Sequence, residues 1–313
     1  MIVDVLISLA LFLIMFTIGL SIDVPDLIKI FKRPKKVVVG LISQLIFLPL
    51  AAFIIVQFFD LPTSIKIGIL ILSICPGGTT SNFISYLVRV NTPLSVALTS
   101  IGSLLTLITI PFLTNLFLNY YLGNSQSIPL PVVKTILNLF ILILVPVSIG
   151  MFLRNKKESF SLKLEKKMRY ISVFLLAVVF LIKFLASESA GGSGITLQSA
   201  LPILPALLVL HFVSLLGGLF IARIFRISIR SSTTIGIEVG LQNSALALFI
   251  TGTLLKDSLM TQPILVYVLF SFFTTALFGI FMKEVVMKRE IRKLESIKRD
   301  LHKSKTFYMQ NTP

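Results

Sequence analysis

Nine long apolar stretches dominate this chain, at 5–22, 37–59, 65–88, 93–119, 130–153, 170–186, 200–222, 232–254 and 263–282. Lipid offers backbone N–H and C=O groups no partner, so stretches of this kind can cross a bilayer only as helices that bond within themselves. The expected fold class is all-α: a polytopic membrane protein of about nine transmembrane helices. The 313 residues are 55% hydrophobic and only 13% charged, against about 25% charged in soluble domains. That leaves no room for a large extramembrane catalytic domain. The first stretch follows Met1-Ile2-Val3-Asp4, without a basic leader or a small-residue cleavage site, and reads as a true span.

Charge then orients the spans. The formal net charge is +16, from 29 Lys and Arg against 13 Asp and Glu. In so apolar a chain the fitting partners are anionic lipid headgroups, not nucleic acid. Of the 29 basic residues, 25 lie in the odd-numbered connections or the tail of a nine-span arrangement, and only Lys66, Lys134, Lys183 and Lys256 fall towards the other side. The positive-inside rule places the N-terminus outside and the basic tail 283–313 in the cytoplasm of a plasma (inner) membrane protein. The residues of 154–169 read as a basic loop, 187–197 as a flexible outer loop, and the tail as a helical extension with lipid-headgroup binding as the alternative.

Two spans break their own pattern. The third reads Ser73-Ile-Cys-Pro-Gly-Gly-Thr-Thr-Ser-Asn82. Pro76 removes a backbone donor, Gly77 and Gly78 lower helix propensity, and four capping-type residues follow. Two half-helices meeting near the bilayer midplane are expected, the first ending in free carbonyls that suit a cation. The second would begin with free N–H groups that suit an anion. The eighth span reads Thr234-Ile-Gly-Ile-Glu-Val-Gly-Leu-Gln-Asn-Ser244, loosened by Gly236 and Gly240 without a proline. Pro49, Pro111, Pro146, Pro202 and Pro205 are expected only to kink their helices.

Glu238 is the one acidic residue that these boundaries place well inside a span, and no Lys or Arg sits at its depth. A carboxylate at that depth costs several kcal/mol unless it is paired or protonated, so its natural partner is a mobile Na⁺ or H⁺. Gln242 and Asn243 follow one turn later. Ser95 and Thr99, four apart, share one face of span 4, and Ser103 and Thr106 extend it. With Gln44 and Asn82 these make an oxygen-only inventory suited to a hard cation. Cys75, the single cysteine, reads as a small apolar filler. No His-rich metal motif occurs, and no Ser or Cys has an assignable base, so nothing points to an enzyme. The polar breaks fall five spans apart, and a shift of five reverses direction, the arrangement of inverted-topology repeats around a midplane site.

Cys75-Pro-Gly-Gly-Thr-Thr-Ser-Asn82, the run Asn91-Thr-Pro-Leu-Ser-Val-Ala-Leu-Thr99 and Glu238-Val-Gly-Leu-Gln-Asn-Ser244 resemble the bile acid:sodium symporter family. The likeness extends to Phe31-Lys-Arg-Pro34 and Gln44. It implies two broken, crossing helices in a core domain (37–119 and 200–282) that moves against a panel domain (5–22, 130–153 and 170–186), in a nine-helix member. It implies two coupling Na⁺ ions, one held by Ser81, Asn82, Ser95, Thr99 and Glu238. The other would be held by Gln44, Glu238, Gln242 and the carbonyls of Val239 and Leu241. Gly78, Thr79 and Asn243 match substrate-facing positions. Thr274 and Thr275 stand where some bacterial relatives carry a His-Asn pair. The implied function is sodium-coupled symport of an organic anion, bile acid-like or a small carboxylate, by alternating access. Proton-coupled or efflux carriage on the same fold is the alternative.

Overall fold

The computed structural model describes residues 2–22, 25, 34–123, 132–187 and 190–311, with 132–134 and 289–311 described by backbone alone. Lys29, Lys32 and Arg33, together with most of the Phe31–Pro34 motif, lie outside the described residues, as do positions 188 and 189 of the loop expected at 187–197. All regular structure among the described residues is helical. The helices are α1 (Ile2–Ser21), α2 (Lys35–Gln57), α3 (Thr63–Ser73), α4 (Thr79–Leu87), α5 (Thr92–Leu122), α6 (Thr135–Lys156), α7 (Glu158–Leu185), α8 (Leu197–Ile224) and α9 (Ile229–Gly240). Then α10 runs through Ser244–Leu248 into a π-helical Phe249–Leu254, and α11 spans Ser258–Asn311.

Eight helices among the described residues are long and apolar enough to cross a membrane, with α9 and α10 counted together as Ile229–Leu254. The stretch expected as a span at 65–88 is divided into α3 and α4. Residues 158–169, expected as loop, form the first turns of α7, parted from α6 by Lys157 alone, whose φ of −141° interrupts the helix. The basic residues there sit on a helical shelf. The tail is helical to Asn311.

Side chains facing lipid have no need to hide. Ile108, Phe112 and Phe174 are 71%, 68% and 72% exposed, a pattern that water would penalise and hydrocarbon does not. The stretch of α9 and α10 is the reverse, 89% buried against 17% for α7. The most polar span is therefore wrapped in protein, which is why it tolerates Glu238, Gln242 and Asn243.

Two groupings are visible in the packing. Helices α1, α6 and α7 lie together, and α1 and α6 approach through Gly19 and Gly150. A Cβ on Gly19 would stand 2.9 Å from Val147 Cα, and one on Gly150 would stand 2.6 Å from the Phe16 carbonyl. Only glycine allows that contact. The second grouping holds α8 along α9, α3 against α11, and α5 against α3, α4 and α9.

Prolines do more than kink. Pro49 and Pro146 each follow a π-helical segment, Ser43–Phe47 and Phe140–Leu144. The proline ring collides with the carbonyl four residues back, and one wide turn relieves the collision. At Pro49 that turn contains Gln44. Helices α4 and α8 stop on left-handed arginines, Arg89 (φ 59°) and Arg226 (φ 57°). There Val90 N–H reaches Ser85 C=O at 3.1 Å, and Ile227 N–H reaches Ala222 C=O at 3.0 Å. Basic residues at these carbonyl ends also suit the helix dipole.

Candidate functional site

The two helix breaks meet. Gly78 is extended (φ −126°, ψ −162°) before α4, and Leu241 is extended (φ −116°, ψ 99°) after α9. Between them Asn243 N–H donates to the Cys75 carbonyl at 3.2 Å. One break thus takes up a carbonyl that the other has freed from helical pairing. Cys75 is fully buried, and its thiol donates to Ile71 C=O one turn back at 3.2 Å.

Asn91 sets the register of α5 against α9. Its side chain accepts from Leu94 N–H at 3.3 Å and donates to Ser231 Oγ at 3.1 Å, while its own N–H donates to Thr234 Oγ1 at 2.9 Å. One turn on, Ser95 meets Glu238. Ser95 Oγ donates to Glu238 Oε2 at 2.8 Å, and Thr99 Oγ1 donates to Oε1. Thr99 Oγ1 also stands 3.2 Å from Asn82 Oδ1. Glu238 is fully buried. A Cβ on Gly77 would fall 2.6 Å from Glu238 Oε1 and 3.0 Å from Ser81 Oγ, so Gly77 leaves the room this cluster fills. Ser81, Asn82, Ser95, Thr99 and Glu238, four separate places in the sequence, are brought together.

Thr99 has a single hydroxyl proton for two acceptors, Glu238 Oε1 and Asn82 Oδ1. Side-chain oxygens from Ser81, Asn82, Ser95 and Thr99 converge on the Glu238 carboxyl, an arrangement a hard cation can use.

The second predicted group is spread more widely. Gln44 is buried, and both atoms of its amide lack a hydrogen-bond partner. Its Oε1 lies 3.6 Å from where a Cβ of Gly102 would be, and Gly102 abuts Pro76. Gln242 donates from Nε2 to Val239 C=O at 2.6 Å, and its Oε1 is buried without a partner. No hydrogen bond joins Gln44 to Glu238 or Gln242. A buried unpaired amide oxygen costs about 1–3 kcal/mol, and Gln44 and Gln242 each carry one.

The walls are equally informative. A cavity of about 100 Å³ touches the crossing at Gly78, Thr79 and Asn243 and faces Ile14 of α1 and Leu176 and Phe180 of α7. Gly78 makes no side-chain cap on α4, so the first N–H groups of that helix are open to an anion. The α10 start is closed by its own residue, since Asn243 Oδ1 accepts from Leu246 N–H at 3.1 Å. Asn243 Nδ2 is buried without a partner. A larger cleft of about 540 Å³ borders Thr79 and Asn82 and reaches Lys166, Arg169 and Tyr170 at the basic end of α7; Arg169 is paired with Glu165.

Thr274 and Thr275 lie elsewhere. Val268, Ser271 and Phe272 of α11 line the small cavity, whereas Thr274 Oγ1 meets His211 Nε2 at 2.7 Å and Thr275 Oγ1 meets it at 3.5 Å. Tyr267 joins the same network. Its hydroxyl donates to Gly240 C=O and accepts from Gln242 N–H at 3.3 Å, and it lies 3.4 Å from His211 Nδ1. Tyr267 therefore bridges the second break. Sequence reasoning missed it, and a buried tyrosine in an otherwise apolar span was the available signal.

Comparison with known proteins gives the chain a family. Residues 8–190 match the model of the Sodium Bile acid symporter family. The "Uncharacterized sodium-dependent transporter YocS" of Bacillus subtilis (strain 168) is 30% identical over 240 residues, 77% of this chain and 71% of that protein. The human "Ileal sodium/bile acid cotransporter" is 30% identical over 252 residues, 78% of this chain and 68% of that protein. "Probable sodium/metabolite cotransporter BASS1, chloroplastic" of Arabidopsis thaliana is 28% identical over 249 residues, and the chain spans 59% of its length. The chain is an integral membrane protein that belongs to the sodium bile acid symporter family, whose members are transporters and not enzymes.

Proposed function

We propose that the chain couples inward movement of sodium to uptake of a small organic anion across the plasma membrane. The observation that carries this reading is a fully buried Glu238 carboxyl ringed by the side-chain oxygens of Ser81, Asn82, Ser95 and Thr99. One Na⁺ is assigned to Ser81, Asn82, Ser95, Thr99 and Glu238. A second is assigned to Gln44, Glu238, Gln242 and the carbonyls of Val239 and Leu241, drawing in the unpaired amide oxygens. The anion is assigned to the open N–H groups at Thr79, with Gly78 giving access and Asn243 Nδ2 donating. Thr274 and Thr275 are assigned behind this site, where with His211 they support Tyr267.

Mechanistically, sodium neutralises Glu238 and pins the crossing, which fixes the helix end that receives the anion. Each ligand then tightens the other's binding equally. The core (37–119 and 200–282) moves against the panel (5–22, 130–153 and 170–186), and the cleft reaching Lys166 and Arg169 is the route on the cytoplasmic side. Two Na⁺ with one monovalent anion move one net positive charge, so uptake responds to membrane potential.

A proton on Glu238 would neutralise the same buried carboxyl, which is what favours proton coupling as the second reading. Uptake into vesicles of taurocholate, a steroid sulfate and pantoate, with Na⁺ replaced by choline at constant pH, separates the two. Sodium coupling predicts that accumulation of at least one anion collapses in choline. Accumulation that persists in choline and follows an imposed pH gradient would establish the proton reading.

A further inference from the structure

Two charged side chains among the described residues are buried, and they have opposite sign: Glu238 at the crossing and Lys183, 7% exposed, in the last turn of α7. A lysine in the last turn of a membrane helix ordinarily extends to the interface, and one covered by neighbouring helices instead is uncommon. Lys183 continues the face of α7 on which Leu176 and Phe180 line the small cavity, since spacings of four and three keep a helix face. It stands at the end of α7 opposite the basic shelf.

Its surroundings belong to both packing groups. A Cβ on Gly252, in the π-helical part of α10, would lie 3.8 Å from Lys183 Nζ, 3.7 Å from Thr261 Oγ1 of α11 and 4.0 Å from Ile7 of α1. Asp4, one turn before Ile7, is near enough to act on the ammonium's charge. Ser193 holds the end of α7 by donating its N–H and its hydroxyl to Lys183 C=O at 3.0 and 2.9 Å. The ammonium thus rests in the closed seam between α1 with α7 and α10 with α11, one step beyond the cavity.

We infer that Lys183 is an anion-recognising residue on the outer approach to the crossing. When the seam opens, its ammonium leaves Gly252 and receives the acidic group of the substrate, a carboxylate, sulfonate or sulfate. The anion then passes inward to Asn243 and the helix end at Thr79. With the seam closed, the ammonium rests against Gly252 with Asp4 nearby. The direction of travel rests on the symport reading above.

The test uses the single native cysteine. In a Cys75→Ala background, Gly252→Cys adds a thiol whose Cβ makes only ordinary contacts. Sealed right-side-out vesicles are treated from outside with an impermeant anionic reagent, sulfonatoethyl methanethiosulfonate, or a cationic one, trimethylammonioethyl methanethiosulfonate. Both should react, and Lys183→Gln should lower the anionic-to-cationic rate ratio about tenfold while Lys183→Arg keeps it within about threefold. For whichever of the three anions above the unaltered chain takes up, Lys183→Gln should raise KM about tenfold with Vmax held, and Lys183→Arg should rescue it. No labelling from outside, or the same rate ratio with glutamine as with lysine, overturns the inference. Failure of the symport reading looks different: the unaltered chain would show no sodium-dependent uptake, and the labelling ratio would still decide the role of Lys183.

Discussion

Asn243 donates its backbone N–H to the Cys75 carbonyl at 3.2 Å, so each of the two helix breaks satisfies the other across the middle of the protein. A broken helix within a membrane survives only where its freed backbone groups find partners in protein. The crossing is therefore a mutual cap, and Glu238, three residues before the second break begins, is held against hydroxyls from α5. Whatever occupies the oxygens around Glu238 acts directly on the geometry of the crossing.

Gly77→Ala should abolish the sodium response. The added Cβ would sit 2.6 Å from Glu238 Oε1, and overpacking of this kind costs about 1–3 kcal/mol. The thermal midpoint without sodium should fall, and the rise on adding sodium should vanish. A sodium-induced rise equal to that of the unaltered protein would mean the cluster is not the ion site.

Thr99→Val removes the hydroxyl shared by Glu238 and Asn82. Hydrogen bonds to charged groups are worth about 1.5–3 kcal/mol, or about tenfold to a hundredfold in sodium affinity. A sodium titration of the thermal midpoint should show that weakening, whereas an unchanged half-saturation point would remove Thr99 from the ligand set.

Tyr267→Phe leaves Gly240 C=O and Gln242 N–H without their shared partner. The cost should be about 1–3 kcal/mol in stability, with sodium affinity weakened as well because Val239, Leu241 and Gln242 lose their anchor. Melting curves and sodium titrations on one preparation check both parts. Loss of stability with unchanged sodium affinity would make Tyr267 a packing residue only.

Much of this was legible because membrane chains carry their physics locally. The spans follow from apolar length, and the first break follows from Pro76, Gly77 and Gly78, whose propensities act where they stand. Glu238 announced itself by its depth. The second break is held by non-local bonds from Cys75 and Tyr267, which explains why it forms without a proline. The start of α7 reads as loop in the sequence because its lysines mask a helix that begins before the apolar stretch. Lys183 reads from the sequence only as one of four basic residues on the less basic side, and the packing of α1, α10 and α11 around it reveals its burial. Pairings such as Thr274 with His211 join positions far apart in sequence, and no local pattern announces them.

The most direct test is a sodium titration of the thermal midpoint of purified Glu238→Gln beside the unaltered chain, with choline holding ionic strength constant. At sodium a hundredfold above its Kd, binding stabilises a folded protein by about 2.7 kcal/mol. The unaltered protein should therefore show a clear rise, and Glu238→Gln should show none. A Glu238→Gln protein that melts higher in sodium with the same half-saturation point would contradict the account.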